Sequence, residues 1–293
     1  MVEWDTFPTF YDEYIMDVEE IIRKKGTLKG LSPRTIKTYT FAVKKFLRIY
    51  RKTPYQVSKN DIESYLLKLL ERGSSGNTTN VYLNAFKFLF EECLGRKLTI
   101  NISFSKTPKR LPEFLTKEEL IHFFTCIKNK KHLLMITLLY SAGLRVSELV
   151  NLKVRDLQLN DNYGWVRLGK GRKDRLFIIA RNLNEDLEIW INKNNLKPEG
   201  YIFSGYNKRK MSTQTIRKIV KEATKIAGLS KNVHPHTLRH SFATHLIQNG
   251  YSVTEVQPLL GHNRIETTLI YTHLAAPKLL NTKSPYDSLK EVN

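Results

Sequence analysis

Four histidines and one arginine crowd into the twelve residues from His234 to His245. On a helix turning about 100° per residue, His236, Arg239 and His240 share one arc, while His245 falls on the far side with Leu238 and Phe242 and reads as structural. Metal binding is one chemistry for such a group. A third ligand would have to come from elsewhere, however, the chain holds no H-E-x-x-H and no paired cysteines, and an arginine in the middle of the face repels a cation. Phosphate suits the face better, because a guanidinium grips phosphate oxygens in pairs and a neutral imidazole takes or gives a proton. Arg145 lies in Ser141-Ala142-Gly143-Leu144-Arg145-Val146-Ser147-Glu148-Leu149, where the glycine ends one helix and the next begins almost at once. That places it beside a helix N-terminus, which favours an anion; a local pair with Glu148 accounts for it equally well. Lys170, framed by Gly169 and Gly171, can approach a backbone closely, although a solvated basic turn is the simpler account. Gly261-His262 follows an apolar run, and Tyr271 comes nine residues later; taken singly it is one of 14 tyrosines, a half-buried helix residue.

The elements that must hold these residues are mostly helical. Phe10, Tyr14, Val18 and Ile21 repeat at helical spacing. Ser32-Pro33 supplies an N-cap with proline at the first helical position, ahead of the stripe Ile36, Tyr39, Val43, Phe46 and Tyr50. Ser58 and Asp61 form a capping-box pattern leading into Ile62, Tyr65, Leu66 and Leu69. After the break at residues 73–76, a fourth helix is expected from about Thr78 to Leu94, stopped by Gly95. Residues 1–96 thus make a small helical domain, and 97–112, with two prolines, four basic residues and no helical period, an interdomain linker. A second domain, 113–293, opens at the capping box Thr116/Glu119 and continues through an apolar helix from His132 to Tyr140 that Gly143 terminates. The one clear β signal is a hairpin, residues 165–168 and 176–179, with a cationic tip at 169–174. Ser212 caps a helix carrying Ile216, Ile219, Val220 and Ala223, and a tail, 274–293, follows Tyr271. The expectation is a mainly α fold with a small β-sheet in the C-terminal domain.

Composition narrows the partner. The 293 residues carry 48 Lys+Arg against 28 Asp+Glu, a formal charge of +20. Residues 1–20 hold seven acidic and no basic side chains, 21–110 hold 20 basic and 5 acidic, and 111–293 a further excess of twelve. Both halves then face the same polyanion, which points to nucleic acid. With 41% hydrophobic residues, 14 Phe and 14 Tyr the chain can bury real cores, so global disorder is excluded. Two cysteines, Cys93 and Cys126, cannot make a disulfide framework or a cysteine zinc site. No apolar run approaches the roughly 18 residues of a membrane span, and the first 20 residues lack a signal-peptide layout. A cytoplasmic protein with no membrane partner is expected.

Taken together, Arg145, Lys170, His236, Arg239, His262 and Tyr271, in that order, resemble the tyrosine recombinase (phage integrase) family, and its Xer branch in particular. The likeness runs through SPRTIKTYTFAVKKFL, LPEFLTKEEL, AGLRVSEL, GKGRKDR, HPHTLRHSFATHL and LLGHNRIETTLIYTH, nearly the whole chain. H-x-x-R followed by GH and a tyrosine nine residues on is a specific pattern. The departures are Ala142, where threonine is usual, and Pro258, expected to bend a helix entry. The resemblance implies a two-domain DNA clamp with a SAM-like core-binding domain and a recombinase catalytic domain, which cuts and rejoins DNA through a 3′-phosphotyrosyl intermediate and a Holliday junction. Tyr271 is then the nucleophile, His236 its proton acceptor, Arg145 and Arg239 the phosphate clamp, Lys170 the acid for the leaving oxygen and His262 a hydrogen-bond donor, with Glu148 and His240 in support. Lys37, Lys44, Arg172 and Lys173 are expected to touch DNA. No metal and no cofactor are called for. The implied partners are a double-stranded recombination site and further copies of the chain, four on two sites with exchange of the C-terminal tail. Xer-type chromosome dimer resolution is the expected role; integration of a plasmid or virus, or relaxation of the type IB topoisomerase kind, are the alternatives.

Overall fold

In the computed structural model, which describes residues 10–99, 101–105, 112–167, 174–205, 207, 209–261, 267–269 and 272, local sequence signals set most helix ends. The chain divides into two compact units, Met1–Lys109 and Arg110–Asn293. In the first, α1 (Phe10–Leu28) and α2 (Pro33–Tyr50) are joined across Gly30, and the Ser32 hydroxyl accepts from the Thr35 N–H at 3.1 Å. Of the stripe expected on α1, Val18 is buried and Ile21 half-buried, with Ile22 fully buried beside them; the side chains of Phe10 and Tyr14 lie outside the described residues. The Ser58/Asp61 capping box forms at the start of α3 (Lys59–Glu71). The fourth helix departs from the expected span: Ser75 caps α4 at Gly76–Lys87, and a π-helical turn, Phe88–Cys93, carries it on to Gly95 at φ 69°. Helix α2 packs against α1 and α4, around a core of Val18, Ile22, Val43, Phe46, Leu47, Ile62, Tyr65, Leu83, Phe86 and Phe90. Phe46 is its centre, with ring centroids 4.7 Å from Phe86 and 5.2 Å from Tyr65.

The second unit begins with α5 (Lys117–Thr125), opened by the Thr116/Glu119 capping box, and α6 (Lys130–Ser141). Gly143, at φ +56°, lets the chain turn at once into α7 (Val146–Leu149). A Cβ there would lie 2.4 Å from the Phe242 ring, so glycine is needed both for the conformation and for the close approach. The expected hairpin is a three-stranded antiparallel sheet in the order β1 (Leu157–Gln158), β2 (Tyr163–Val166), β3 (Arg175–Ile178). Both expected strands start earlier than the sequence suggested, with Val166 opposite Arg175; β1 is only two residues long and shows no alternation to find. Then follow α8 (Asn184–Lys193), α9 (Thr213–Ile226, capped by Ser212), α10 (Pro235–Gln248) and α11 (Val253–Leu260). Pro258 sits in the last turn of α11, not at its entry, which Ser252 and Glu255 cap. The α10 helix packs on α6, α9 and α11, and α11 packs on β3. Residues 100 and 106–111 of the expected linker, residues 168–173 of the expected hairpin, His262, Tyr271 and the tail 274–293 lie outside the described residues.

Candidate active site

Glu148 is the hub of the second unit. It is the third residue of the short helix α7, and its carboxylate accepts the Arg145 backbone N–H at 2.8 Å, which ties the arginine's conformation to the start of that helix. Its other oxygen takes the Arg145 guanidinium at 2.6 Å. Two more arginines converge on the same group: Arg175, from the first residue of β3, at 2.6 Å, and Arg239, from α10, at 3.9 Å. The side chains of Glu148 and Arg239 are only 4% exposed and that of Arg175 10%. Burial by itself would raise the Glu148 carboxyl, but the Arg175 charge, the Arg145 N–H and the Arg145 charge outweigh it and hold it below the ordinary carboxylate range. Burial also lowers the Arg175 pKa, against the pull of Glu148. One carboxylate facing three guanidiniums leaves the spot with an excess of positive charge, an environment built to receive an anion.

The second anchor for the arginines is the C-terminal end of α11. Three successive carbonyls accept from three different arginines: Leu259 from Arg175, Leu260 from Arg239, and Gly261 from Arg145 at 3.1 Å. The last carbonyls of a helix lack intrahelical partners and carry the negative end of its dipole, so cations satisfy them twice over. Arg239 donates its other arm to the Gly143 carbonyl. Gly261 is the left-handed C-cap at φ 58°, and a Cβ there would lie 2.6 Å from the Arg175 Cδ.

The histidines divide as the helical arc suggested. His245 is buried and its Nδ1 is 2.9 Å from the Tyr140 hydroxyl. His236 meets solvent, yet the protein packed around its ring, together with the charges of His234, Arg239 and Arg145, lowers its pKa and favours the neutral imidazole. His240 is half-buried, and burial, followed by His236, His234 and Arg239, depresses it to about 4. His234 caps α10, its Nδ1 accepting the Thr237 N–H at 3.1 Å. The structure thus brings Arg145, Glu148 and Arg239 into one cluster, with His236 and His240 on the same helix as Arg239. Lys170, Arg172, Lys173, His262 and Tyr271 lie outside the described residues. On α2, Lys37 is exposed, whereas Lys44 is engaged by Glu19 of α1. Arg175 was missed because it reads as one more charge of a basic turn, and only the fold brings it to Leu259, 84 residues away.

Comparison with known proteins places both units. The phage integrase family matches residues 113–277, and the N-terminal SAM-like domain of phage integrases matches residues 19–100. A tyrosine recombinase of Pseudothermotoga lettingae is 35% identical over 278 residues, spanning 90% of this chain and 92% of its own. Tyrosine recombinase XerA of Pyrococcus furiosus is 37% identical over 258 residues, 86% of this chain and 87% of its own. Among solved structures, a crystal structure of XerA recombinase is 30% identical with a TM-score of 0.54, covering 92% of this chain and 98% of that one. XerH site-specific recombinase bound to a palindromic difH substrate, a post-cleavage complex, shares the fold at a TM-score of 0.74 and 21% identity, over 97% of this chain and 98% of that one.

Proposed function

We propose, for a chain that belongs to the phage integrase family of tyrosine recombinases and breaks and rejoins DNA site-specifically, that the Glu148 cluster is its phosphate clamp. The observation that carries this is the convergence of Arg145 and Arg239 on one buried carboxylate and one helix end. Tyr271 attacks the scissile phosphorus and the bond to the 5′ oxygen breaks, so the phosphodiester energy is kept in a 3′-phosphotyrosyl link and no ATP is needed. A phenol with a reference pKa of about 10 stays protonated at neutral pH and needs an acceptor; the neutral imidazole of His236 has the right state for that task. As the phosphorane forms, negative charge gathers on its non-bridging oxygens, where Arg145 and Arg239 supply fixed donors in place of a divalent metal. Lys170 protonates the departing 5′ oxygen and His262 donates to the phosphate. The 5′ hydroxyl of a partner duplex then attacks the link and releases Tyr271.

The substrate is a double-stranded recombination site, to which both units bring basic surface, and the role is Xer-type resolution of chromosome dimers. The relatives named XerA support that choice. Four copies acting on two sites, each lending residues 274–293 to its neighbour, complete the proposal: deletion of 279–293 is expected to leave half-site binding intact and to abolish synapsis. The direct test is adduct formation on a nicked half-site in EDTA. Wild type is expected to accumulate a covalent protein–DNA adduct, and Tyr271→Phe to bind equally and form none. Loss of cleavage on chelation, or an adduct in the Phe variant, refutes the mechanism.

A further inference from the structure

We infer that Arg175 is a positioning residue for the cleavage step, one that holds the arginine clamp and the residues beside it in a single geometry. The inference rests on the proposed phosphate clamp and adds to it a third arginine that touches no reacting atom.

Three contacts of one side chain carry it. Arg175 Nη2 donates to Glu148 Oε2 at 2.6 Å, on the carboxylate that also fixes Arg145. Its Nη1 donates to the Leu259 carbonyl, one residue before the carbonyl that holds Arg239 and two before the one that holds Arg145. Its backbone begins β3, directly after the segment that contains Lys170 and immediately before Leu176, whose carbonyl also accepts from Nη1 at 3.2 Å. The side chain therefore joins sheet, α7 and the end of α11, from which the chain runs straight into His262.

Charge explains why an arginine is needed here. Glu148 Oε2 lies 2.6 Å from Arg175 and 3.9 Å from Arg239. With Arg175 in place that oxygen is already satisfied by a short, charge-assisted bond. Remove the guanidinium, and that oxygen keeps only the Arg145 backbone N–H; a buried carboxylate short of one charged partner then draws Arg239 away from the Gly143 and Leu260 carbonyls. A lysine keeps the charge but has no planar fork, so it cannot reach Glu148 and Leu259 together in the same geometry. The close fit at Gly261, where a Cβ would strike the Arg175 side chain, is the other face of this packing.

The test compares wild type, Arg175→Gln and Arg175→Lys on a nicked half-site, measuring half-site affinity, thermal unfolding and the single-turnover rate of adduct formation at saturating protein. Displacement of a clamp by about 1 Å is enough to slow a reaction by up to about a hundredfold. Both variants are therefore expected to bind within about threefold of wild type and to cleave at least about tenfold more slowly. If Arg175→Gln does not fold, Arg175→Lys carries the measurement. A half-site with a 5′-bridging sulfur, which leaves without a proton, separates the routes: the defect is expected to persist on it, since the arginines act on the non-bridging oxygens. Cleavage within twofold of wild type in a folded variant, or full rescue by sulfur, overturns the inference. Absence of any adduct with wild type would instead overturn the proposed function on which it rests.

Discussion

The two units put charge in opposite places. In the first, the interior is aromatic, centred on Phe46 against Tyr65 and Phe86, and the cations of α2, Arg34, Lys37, Lys45 and Arg48, are exposed. In the second, the apolar core runs alongside a carboxylate and three guanidiniums that are themselves largely buried. Exposed charges can change without altering the fold beneath them, because water solvates them in any arrangement. A buried carboxylate must keep its partners, so its fold and its chemistry stand or fall together. Binding and stability are therefore separable in the first unit, and catalysis and stability coupled in the second.

The strongest challenge to that contrast is Glu148→Ala. It leaves three guanidiniums facing one another without their anion, and we expect a loss of about 3–5 kcal/mol in urea unfolding together with disappearance of the half-site adduct. A variant that unfolds within about 1 kcal/mol of wild type and still cleaves would erase the distinction. The matching change in the first unit is Phe46→Ala, which empties the centre of the aromatic core. It should cost about 3 kcal/mol in urea unfolding, while half-site affinity and the single-turnover cleavage rate at saturation, both measured in the cold where the unit stays folded, remain within about twofold. A large fall in that rate would mean that the first unit also shapes the chemistry.

Acid sharpens the comparison further. In the unfolded chain His240 takes up its proton near pH 6.5; in the fold it does so only near 4. Between those values the unfolded state binds more protons, so stability contributed by the neutral ring is present above about 6.5, is lost as pH falls, and has gone by about 4. Melting temperature followed from pH 7 to 4 should therefore drop, and His240→Gln should drop less. An unchanged slope in the variant would assign the effect to other groups. The smallest effects are expected at the helix caps. Ser58→Ala in one unit and Thr116→Ala in the other should each cost about 1 kcal/mol by denaturant titration with cleavage unaltered, because a cap is local wherever it stands. Unequal costs would show that the units differ at their edges as well as in their interiors.

How far the sequence reveals all this follows the same line between local and distant. Ser32, Ser58, Thr116 and Ser212 each cap the helix expected of them, since the signal and the structure lie within three residues of each other. The pairing of Glu148 with Arg145, also three residues apart, was open to inspection. What was not readable depends on partners far along the chain or on geometry too short to show a period. The π-helical turn at Phe88–Cys93 looks like plain helix, β1 has only two residues, and His234 is not among the residue types that usually cap. Arg175 belongs to the first group: nothing in GKGRKDR distinguishes its last residue from Arg172, and only the packing of α11 against β3 does so.

The run of carbonyls from Leu259 to Gly261 carries an evolutionary consequence. Each carbonyl serves a different arginine through its direction alone, so the exposed side chains of α11 are open to drift as long as the backbone keeps its course. Length is another matter. One residue gained or lost between Ser252 and Leu260 rotates the helix end by about 100° and shifts it by about 1.5 Å along the axis, handing every guanidinium its neighbour's acceptor. Descendants of this chain should differ freely in the spelling of that segment and hardly ever in its number of letters.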